Sequence, residues 1–342
     1  MDTRPKRNSL TARELARMIG VSQSAVSRAF TPGASIAPEL REKILQYAAT
    51  VDYQPNAIAS MLSKRRTNIV GIVVSEMQNP FYPALLEKLS QELQRIGFQS
   101  LLFNITAGAN LQEQLSALRR YNVDAVIVIS ATVLSGPTLQ RVTEGRAAIL
   151  INRVVEDVSI ACVACDNIEG GRAVADHFYE LGQRRVAYVA GLAHTSTGRE
   201  RRNAFVTRVA ELGMTLTANI DGGEYSYNAG RRTALEIAAG SKTDAIFFAN
   251  DILALGGMDA LREEAGLRVP EDISIAGFDD IAMASWPHYA LTTFRQPLDG
   301  IVSETVRMLQ EGSCQPGQTQ VIRRLSGSLV VRESTASDAT RT

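Results

Sequence analysis

The chain has 342 residues, 45% of them hydrophobic, a length that implies more than one domain and enough apolar material for a real core. Its 36 Lys and Arg equal its 36 Asp and Glu, yet residues 1–66 hold eleven basic against five acidic side chains, a net of +6 that leaves −6 on the remainder. A basic head on an acidic body calls for a polyanion partner for the head alone. The polar N-terminus has no signal-type apolar segment, and no uncharged apolar run reaches membrane-spanning length, so the expectation is a cytoplasmic protein without a membrane partner.

Thr11 and Glu14 form a T-x-x-E capping box that starts a helix. Leu15, Met18 and Ile19 give that helix an apolar face, and Gly20 ends it. Ser22 caps a second helix almost at once. Ala25, Val26 and Ala29 face inward on it, leaving Gln23, Ser24, Ser27 and Arg28 outside. Two short helices joined by a Gly-containing turn read as an ordinary surface helical hairpin or, as the basic head favours, as a helix-turn-helix, whose second helix reads the major groove. Gln and Arg suit that role because each can make paired hydrogen bonds to a purine edge. Pro38 opens a third helix with Leu40, Ile44, Leu45, Tyr47 and Ala48 as its buried stripe.

The segment Tyr53–Thr67 carries Pro55, Ala57, Ile58, Ala59, Met61 and Leu62 and then Lys64-Arg65-Arg66. Either it is a linker with a solvated charge run, or it is a hinge helix that lies in the minor groove and wedges an apolar side chain between base steps.

From Ile69 the chain alternates apolar runs with amphipathic stretches. Strands are expected at Ile69–Ser75, Ser100–Ile105, Ala125–Ser130 and Ala147–Asn152, with helices such as Tyr82–Ile96 and Leu111–Tyr121 between them. A second series has strands at Val186–Ala190, Ala245–Ala249 and Ile273–Phe278, with helices Gly171–Leu181 and Ile252–Glu264. Apolar strands separated by helices imply parallel sheets covered on both faces, and two series imply two doubly wound lobes. Ligands in such sheets bind beyond the carboxyl ends of the strands. Asn79-Pro80-Phe81-Tyr82, Asn152-Arg153, Asn250-Asp251 and Asp279-Asp280 sit at such ends. Singly, each Asn or Asp there reads as a helix cap or turn former; together they suggest a cleft.

Cys162 and Cys165 are spaced C-x-x-C within a strand-like run, with no second pair to complete a zinc site, so they read as packing residues. His177, His194 and His288 show no ligand spacing, and no G-x-G-x-x-G follows the first strand. Neither a metal, nor a cofactor, nor an enzyme is therefore expected. A solute-binding protein would share the body but lack the helix-turn-helix.

The residues Val21-Ser22-x-x-x-Val26-Ser27-Arg28, Tyr53-x-Pro55-Asn56-x-x-Ala59, Leu62 and Thr67-x-x-Val70-Gly71 resemble the lactose-repressor and galactose-repressor family of bacterial transcription factors. The likeness extends through Asp166-Asn167-x-x-Gly170-Gly171, Arg201-x-x-Ala204-Phe205, Ala249-Asn250-Asp251, Gly277-Phe278-Asp279-Asp280 and Leu291-Thr292-Thr293-x-x-Gln296-Pro297. It departs from the family pattern at Ala29-Phe30-Thr31, at Ala37 (no capping hydroxyl), at Ser60 and at Ala204, where Gly is usual.

The resemblance implies a small all-α head, residues 1–52, a hinge, 53–67, and a periplasmic-binding-protein-like α/β body. The first lobe would comprise 68–165 and 297–325, the second 166–296 and 326–335. The polar tail from Ser334 to Thr342 is expected to be disordered, residues 336–342 lying beyond the second lobe. It implies that Thr11, Ser22, Gln23, Ser24, Ser27 and Arg28 contact DNA, with Asn56, Ala59 and the wedge Leu62 in the minor groove. Arg201, Asn250 and Asp279 would hydrogen-bond an effector packed against Phe81 and Tyr225, with Asn152 and Gln296 nearby. Such a set suits a sugar, and also a nucleoside or a sugar phosphate. The implied function is a transcriptional regulator, a repressor, that binds a near-palindromic operator as a homodimer, a tetramer remaining open. A member that answers to a protein partner through a vestigial cleft is the alternative.

Overall fold

The computed structural model describes residues 10–31, 33–54, 67–75, 77–105, 118, 120–129, 136–143, 145–155, 160–192 and 195–336. The hinge residues Asn56, Ala59 and Leu62, the residue His194, the tail from 337 and almost all of the Leu111–Tyr121 helix lie outside them. The chain divides into two units, Met1–Asn68 and Ile69–Thr342.

The first unit is a three-helix head: α1 (Ala12–Ile19), α2 (Gln23–Ala29) and α3 (Pro38–Thr50). The capping box forms at both ends, with Thr11 N donating to Glu14 Oε2 at 2.8 Å and Glu14 N donating to Thr11 Oγ1 at 3.2 Å. Those bonds hold the Glu14 carboxyl below its usual range. Gly20 closes α1 at φ 77°, a conformation that favours glycine. Ser22 Oγ accepts from Ala25 N, so α2 begins with only three residues between it and α1. Leu15, Ala16, Ala25, Val26, Ala29, Ile44, Ala48 and Tyr53 form the core. Three expected core residues are instead exposed: Met18 by 53%, Leu45 by 38% and Tyr47 by 36%. On helices this short the inward stripe is narrow, and these side chains fall one position off the line through Leu15 and Ile19 or through Ile44 and Ala48. Ala37 makes no side-chain cap, and Pro38 at the first helical position removes one of the donors that would have needed it. Arg41 Nε donates to Ala29 O at 3.1 Å, tying α3 to the end of α2.

The second unit holds two six-stranded sheets. Its elements run β1 (Ile69–Val74), α4 (Phe81–Arg95), β2 (Gln99–Asn104), β3 (Ala125–Ile129), α5 (Gly136–Thr143), β4 (Ala147–Ile151), β5 (Ala161–Cys165) and α6 (Asn167–Glu180). Then follow β6 (Arg185–Ala190), α7 (Ser196–Glu211), β7 (Thr215–Asp221), α8 (Tyr227–Ala239), β8 (Ala245–Phe248), α9 (Asp251–Glu263) and β9 (Ser274–Asp279). A 3-10 turn (Ala282–Ser285), β10 (Thr292–Arg295), α10 (Leu298–Glu311), β11 (Ile322–Leu325) and β12 (Ser328–Val330) complete the unit.

The first sheet has the order β11-β5-β4-β3-β1-β2, all parallel. The second has the order β12-β10-β9-β8-β6-β7, parallel except for the β10–β12 pair. Central strands β3, β4, β5, β8 and β9 are buried along their whole length, which explains their uninterrupted apolar sequence. The chain passes between the sheets three times: after Cys165 into α6, after Arg295 into α10, and between Leu325 and Ser328.

The helix expected from Gly171 begins a full turn earlier, because Asp166 Oδ1 accepts from Ile168 N and Glu169 N at 3.0 and 2.9 Å. Cys162 and Cys165 fall in cores on opposite faces of the first sheet, so they cannot share an ion. The tail does not lose order at Ser334. Ser334 Oγ donates to Ile275 O at 2.7 Å, Thr335 Oγ1 bonds His177 Nε2 at 3.0 Å, and Ala336 O accepts from Gln183 Nε2 at 2.9 Å. Ser334 thus satisfies backbone groups of β9 and β10. No helix among the described residues is long and apolar enough to cross a membrane.

Candidate functional site

In the head, α2 presents one side to the core and the other to solvent. Ser22, Gln23, Ser24, Ser27 and Arg28 are all exposed, as is Thr11 at the start of α1. Ser22 and Ser24 hydroxyls lie 2.9 Å apart, and Arg28 Nε donates to Ser24 O at 3.2 Å. The guanidinium end is thereby drawn toward the N-terminal turn, the part of a recognition helix that meets base edges. The six described residues of the DNA set are therefore all accessible.

In the body, polar side chains converge where the carboxyl ends of the two sheets face each other. Asn79, Tyr82, Asn152 and Arg153 from the first lobe meet Thr195, Thr197, Arg201, Tyr225, Asn250 and Asp279 from the second. The enclosed cavity is about 20 Å³, room for about one water, within a depression of about 400 Å³ open to solvent. Ligand pockets start near roughly 300 Å³, so this is a closed arrangement that must widen to admit a sugar-sized molecule.

Arg201 is the most constrained group in the cleft. Its Nε donates to Asn167 Oδ1 and its Nη1 to Ala249 O, each at 2.7 Å, and its guanidinium lies 3.5 Å from the Phe278 ring centroid. These contacts use Nε and Nη1 of the guanidinium. Asp279 lies 3.9 Å from Nη1, accepts from Gln296 Nε2 at 2.6 Å and from Asn79 Nδ2 at 3.4 Å, and is strained at φ 123°. Burial pushes its carboxyl up, while the Arg201 charge pulls it back. Behind it, Asp251 is fully buried. Its oxygens accept from Thr293 Oγ1 at 2.6 Å and Ile281 N at 2.9 Å. Burial and then the Asp279 charge push it well above the usual carboxylate range.

Asn250 does two things at once: Oδ1 accepts from Leu253 N and caps α9, while the residue lines the cavity. Asn152 sits at φ 59°, with its Nδ2 donating to the Tyr82 hydroxyl at 3.4 Å and its Oδ1 buried without a partner. Gln296 reaches the cleft only through Asp279, and its Oε1 is also buried and unpartnered. Tyr225 packs its ring against Gly191, where a Cβ would come within 2.3 Å.

Phe81 corrects the sequence reading. Its ring joins the core, 4% exposed and edge-on to Tyr82, and it does not line the cavity; Tyr82 does. The first turn of α4 turns one neighbour inward and the other to the cleft, which spacing alone does not decide. Sequence reasoning also missed Asn79, Arg153, Thr195 and Thr197 as lining residues. Asn79 and Arg153 lay within segments already marked as strand ends, whereas Thr195 and Thr197 carried no signal beyond capping potential. Among the described residues no cluster of His, Cys, Asp and Glu could hold a metal ion.

Residues 175–335 match the model of the periplasmic binding protein-like domain. Over 330 residues the chain is 26% identical to the HTH-type transcriptional regulator GalS of Salmonella typhimurium, covering 96% of this chain and 97% of that one. Among solved structures, the lac repressor dimer bound to operator and the anti-inducer ONPF matches at a TM-score of 0.82 and 23% identity, over 96% of this chain and 100% of that one. The complex of the transcriptional regulator CelR with cellobiose matches at 0.71 and 28%, over 97% and 100%. With a helix-turn-helix head and two doubly wound lobes, the chain is similar along nearly its whole length to bacterial transcriptional regulators of the lactose-repressor and galactose-repressor kind.

Proposed function

We propose that the chain is a DNA-binding transcriptional repressor, acting in the cytoplasm as a homodimer on a near-palindromic operator and governed by a small effector between its lobes. The relatives are regulators rather than enzymes. The observation that carries the reading is the closed cleft: a fully buried Arg–Asp pair with open hydrogen-bonding capacity, between two lobes joined at three crossings. A charge pair removed from water without a ligand is costly, and ligand hydrogen bonds would satisfy it. Unpartnered Asn152 Oδ1 and Gln296 Oε1 call for donors, and the Arg201 guanidinium can donate to an acceptor. Hydroxyl groups supply both, which favours a sugar or sugar derivative.

Gln23, Ser24 and Arg28 would read the major groove, with Thr11, Ser22 and Ser27 on phosphates and Asn56, Ala59 and Leu62 in the minor groove. The segment 53–67 would then carry a change in lobe angle to the DNA.

A thermal-shift screen of sugars, sugar acids, sugar phosphates and nucleosides on the full chain tests the cleft. A stabilising compound whose effect disappears in Arg201→Lys and Asp279→Asn supports it. A compound equally effective on all three proteins binds elsewhere and overturns the assignment.

A further inference from the structure

Each of the three chain crossings places one polar side chain on the Arg201 network. At the first, Asn167 takes Arg201 Nε at 2.7 Å. At the second, Gln296 holds Asp279 at 2.6 Å, and Asp279 faces Arg201 at 3.9 Å. At the third, Arg324 on β11 donates from Nη2 to Glu200 Oε1 at 2.6 Å. Glu200 Oε2 accepts from Asn167 Nδ2 at 3.1 Å, which closes the path from Arg324 back to Arg201.

The chemistry of this path fixes its direction. An amide has a donor end and an acceptor end. Asn167 Nδ2 is drawn to two acceptors, Cys165 O and Glu200 Oε2, both at 3.1 Å. Its Oδ1 is therefore turned to Arg201 Nε. Glu200 sets that choice, and Arg324 sets Glu200. Strand alternation does the sorting on β11. Arg324 reaches across to α7 of the second lobe, while its neighbour Arg323 turns back to Glu304 on α10 at 3.1 Å.

We infer that Asn167, Glu200 and Arg324 are positioning residues, a relay that makes the orientation of the Arg201 guanidinium depend on the angle between the lobes. Parting the lobes draws Arg324 away from Glu200, frees the Asn167 amide and loosens Arg201. Holding Arg201 from the cleft does the reverse, since coupling between two equilibria is reciprocal. The inference rests on the reading of the cleft as an effector site, but its test does not need an effector.

The test is the Nε–H signal of Arg201 in full-length protein labelled with 15N-arginine, assigned by its loss in Arg201→Lys. Arg324→Gln and the isosteric Glu200→Gln should each displace the signal and speed its exchange with solvent at least about threefold, as expected when a local hydrogen bond opens more often. Arg324→Lys, which keeps the charge, should restore it in part, and Arg323→Gln should leave it in place. An unmoved signal in Glu200→Gln, or an equal shift in Arg323→Gln, would overturn the relay. A relay that behaves as described in a protein whose cleft variants bind every stabilising compound normally would fault the cleft assignment alone.

Discussion

Arg201 and Asp279 face each other across 3.9 Å with their side chains only 4% exposed each, close enough to neutralise one another and too far for a hydrogen bond. Each is instead held by neutral partners: Asn167 and the Ala249 carbonyl for the guanidinium, Gln296 and Asn79 for the carboxylate. The pair is therefore fixed in place before any ligand arrives.

Removing both members should cost less than the sum of removing each alone. Asp279→Ala leaves a buried guanidinium without its countercharge and should cost about 3–5 kcal/mol in urea unfolding. The double change Arg201→Met with Asp279→Ala should cost less than the sum of the two single changes, because the two sites are coupled. Additive losses would mean that the two groups do not sense each other.

Asp251 gives a pH signature. Its folded-state pKa lies above its unfolded value of about 4. As pH rises from there, the unfolded chain ionises first, so this group's contribution to stability falls until the folded pKa is passed. Asp251→Asn cannot ionise. The stability of the parent protein relative to this variant should therefore decline between pH 4 and neutrality, read from urea midpoints at several pH values. A difference that grows with pH would contradict the assignment.

Helices α8 and α9 touch through glycine. A Cβ at Gly230 would lie 2.0 Å from Leu253 O, and one at Gly256 2.0 Å from Tyr227 O. Backbone atoms cannot move aside as a flexible side chain can. Gly230→Ala and Gly256→Ala should each force the helices apart and cost at least about 1–3 kcal/mol, measured by thermal unfolding. Gly213→Ala, at an open but positive-φ site, should lose stability by backbone strain alone and leave the helix pair intact.

Local signals were legible in the sequence wherever the chemistry itself is local. Thr11 and Glu14 announced their capping box three residues apart, and the apolar runs gave β1, β3, β4, β8 and β9 to within a residue or two. The cleft was legible in outline, since Asn250, Asp279 and Arg201 were chosen and do converge. What failed depends on partners far along the chain. Glu200 and Arg324 are 124 residues apart, and nothing near either one marks their bond. Ser334 and Thr335 look like a solvated tail until their partners Ile275, Thr292 and His177 are in place. Phe81 and Tyr82 differ only in which side of one helical turn meets the core.

A head that reads DNA sequence requires the intact chain to bind one site in preference to others. The most direct measurement is selection from a pool of random-sequence duplexes by the full chain and by the double variant Gln23→Ala with Arg28→Ala. The full chain should enrich one near-palindromic site, with affinity falling steeply as salt rises. The variant should lose that enrichment, as each paired contact to a base edge is worth about 1–3 kcal/mol of discrimination. A pool left without any common site, or the same site enriched by both proteins, would contradict it.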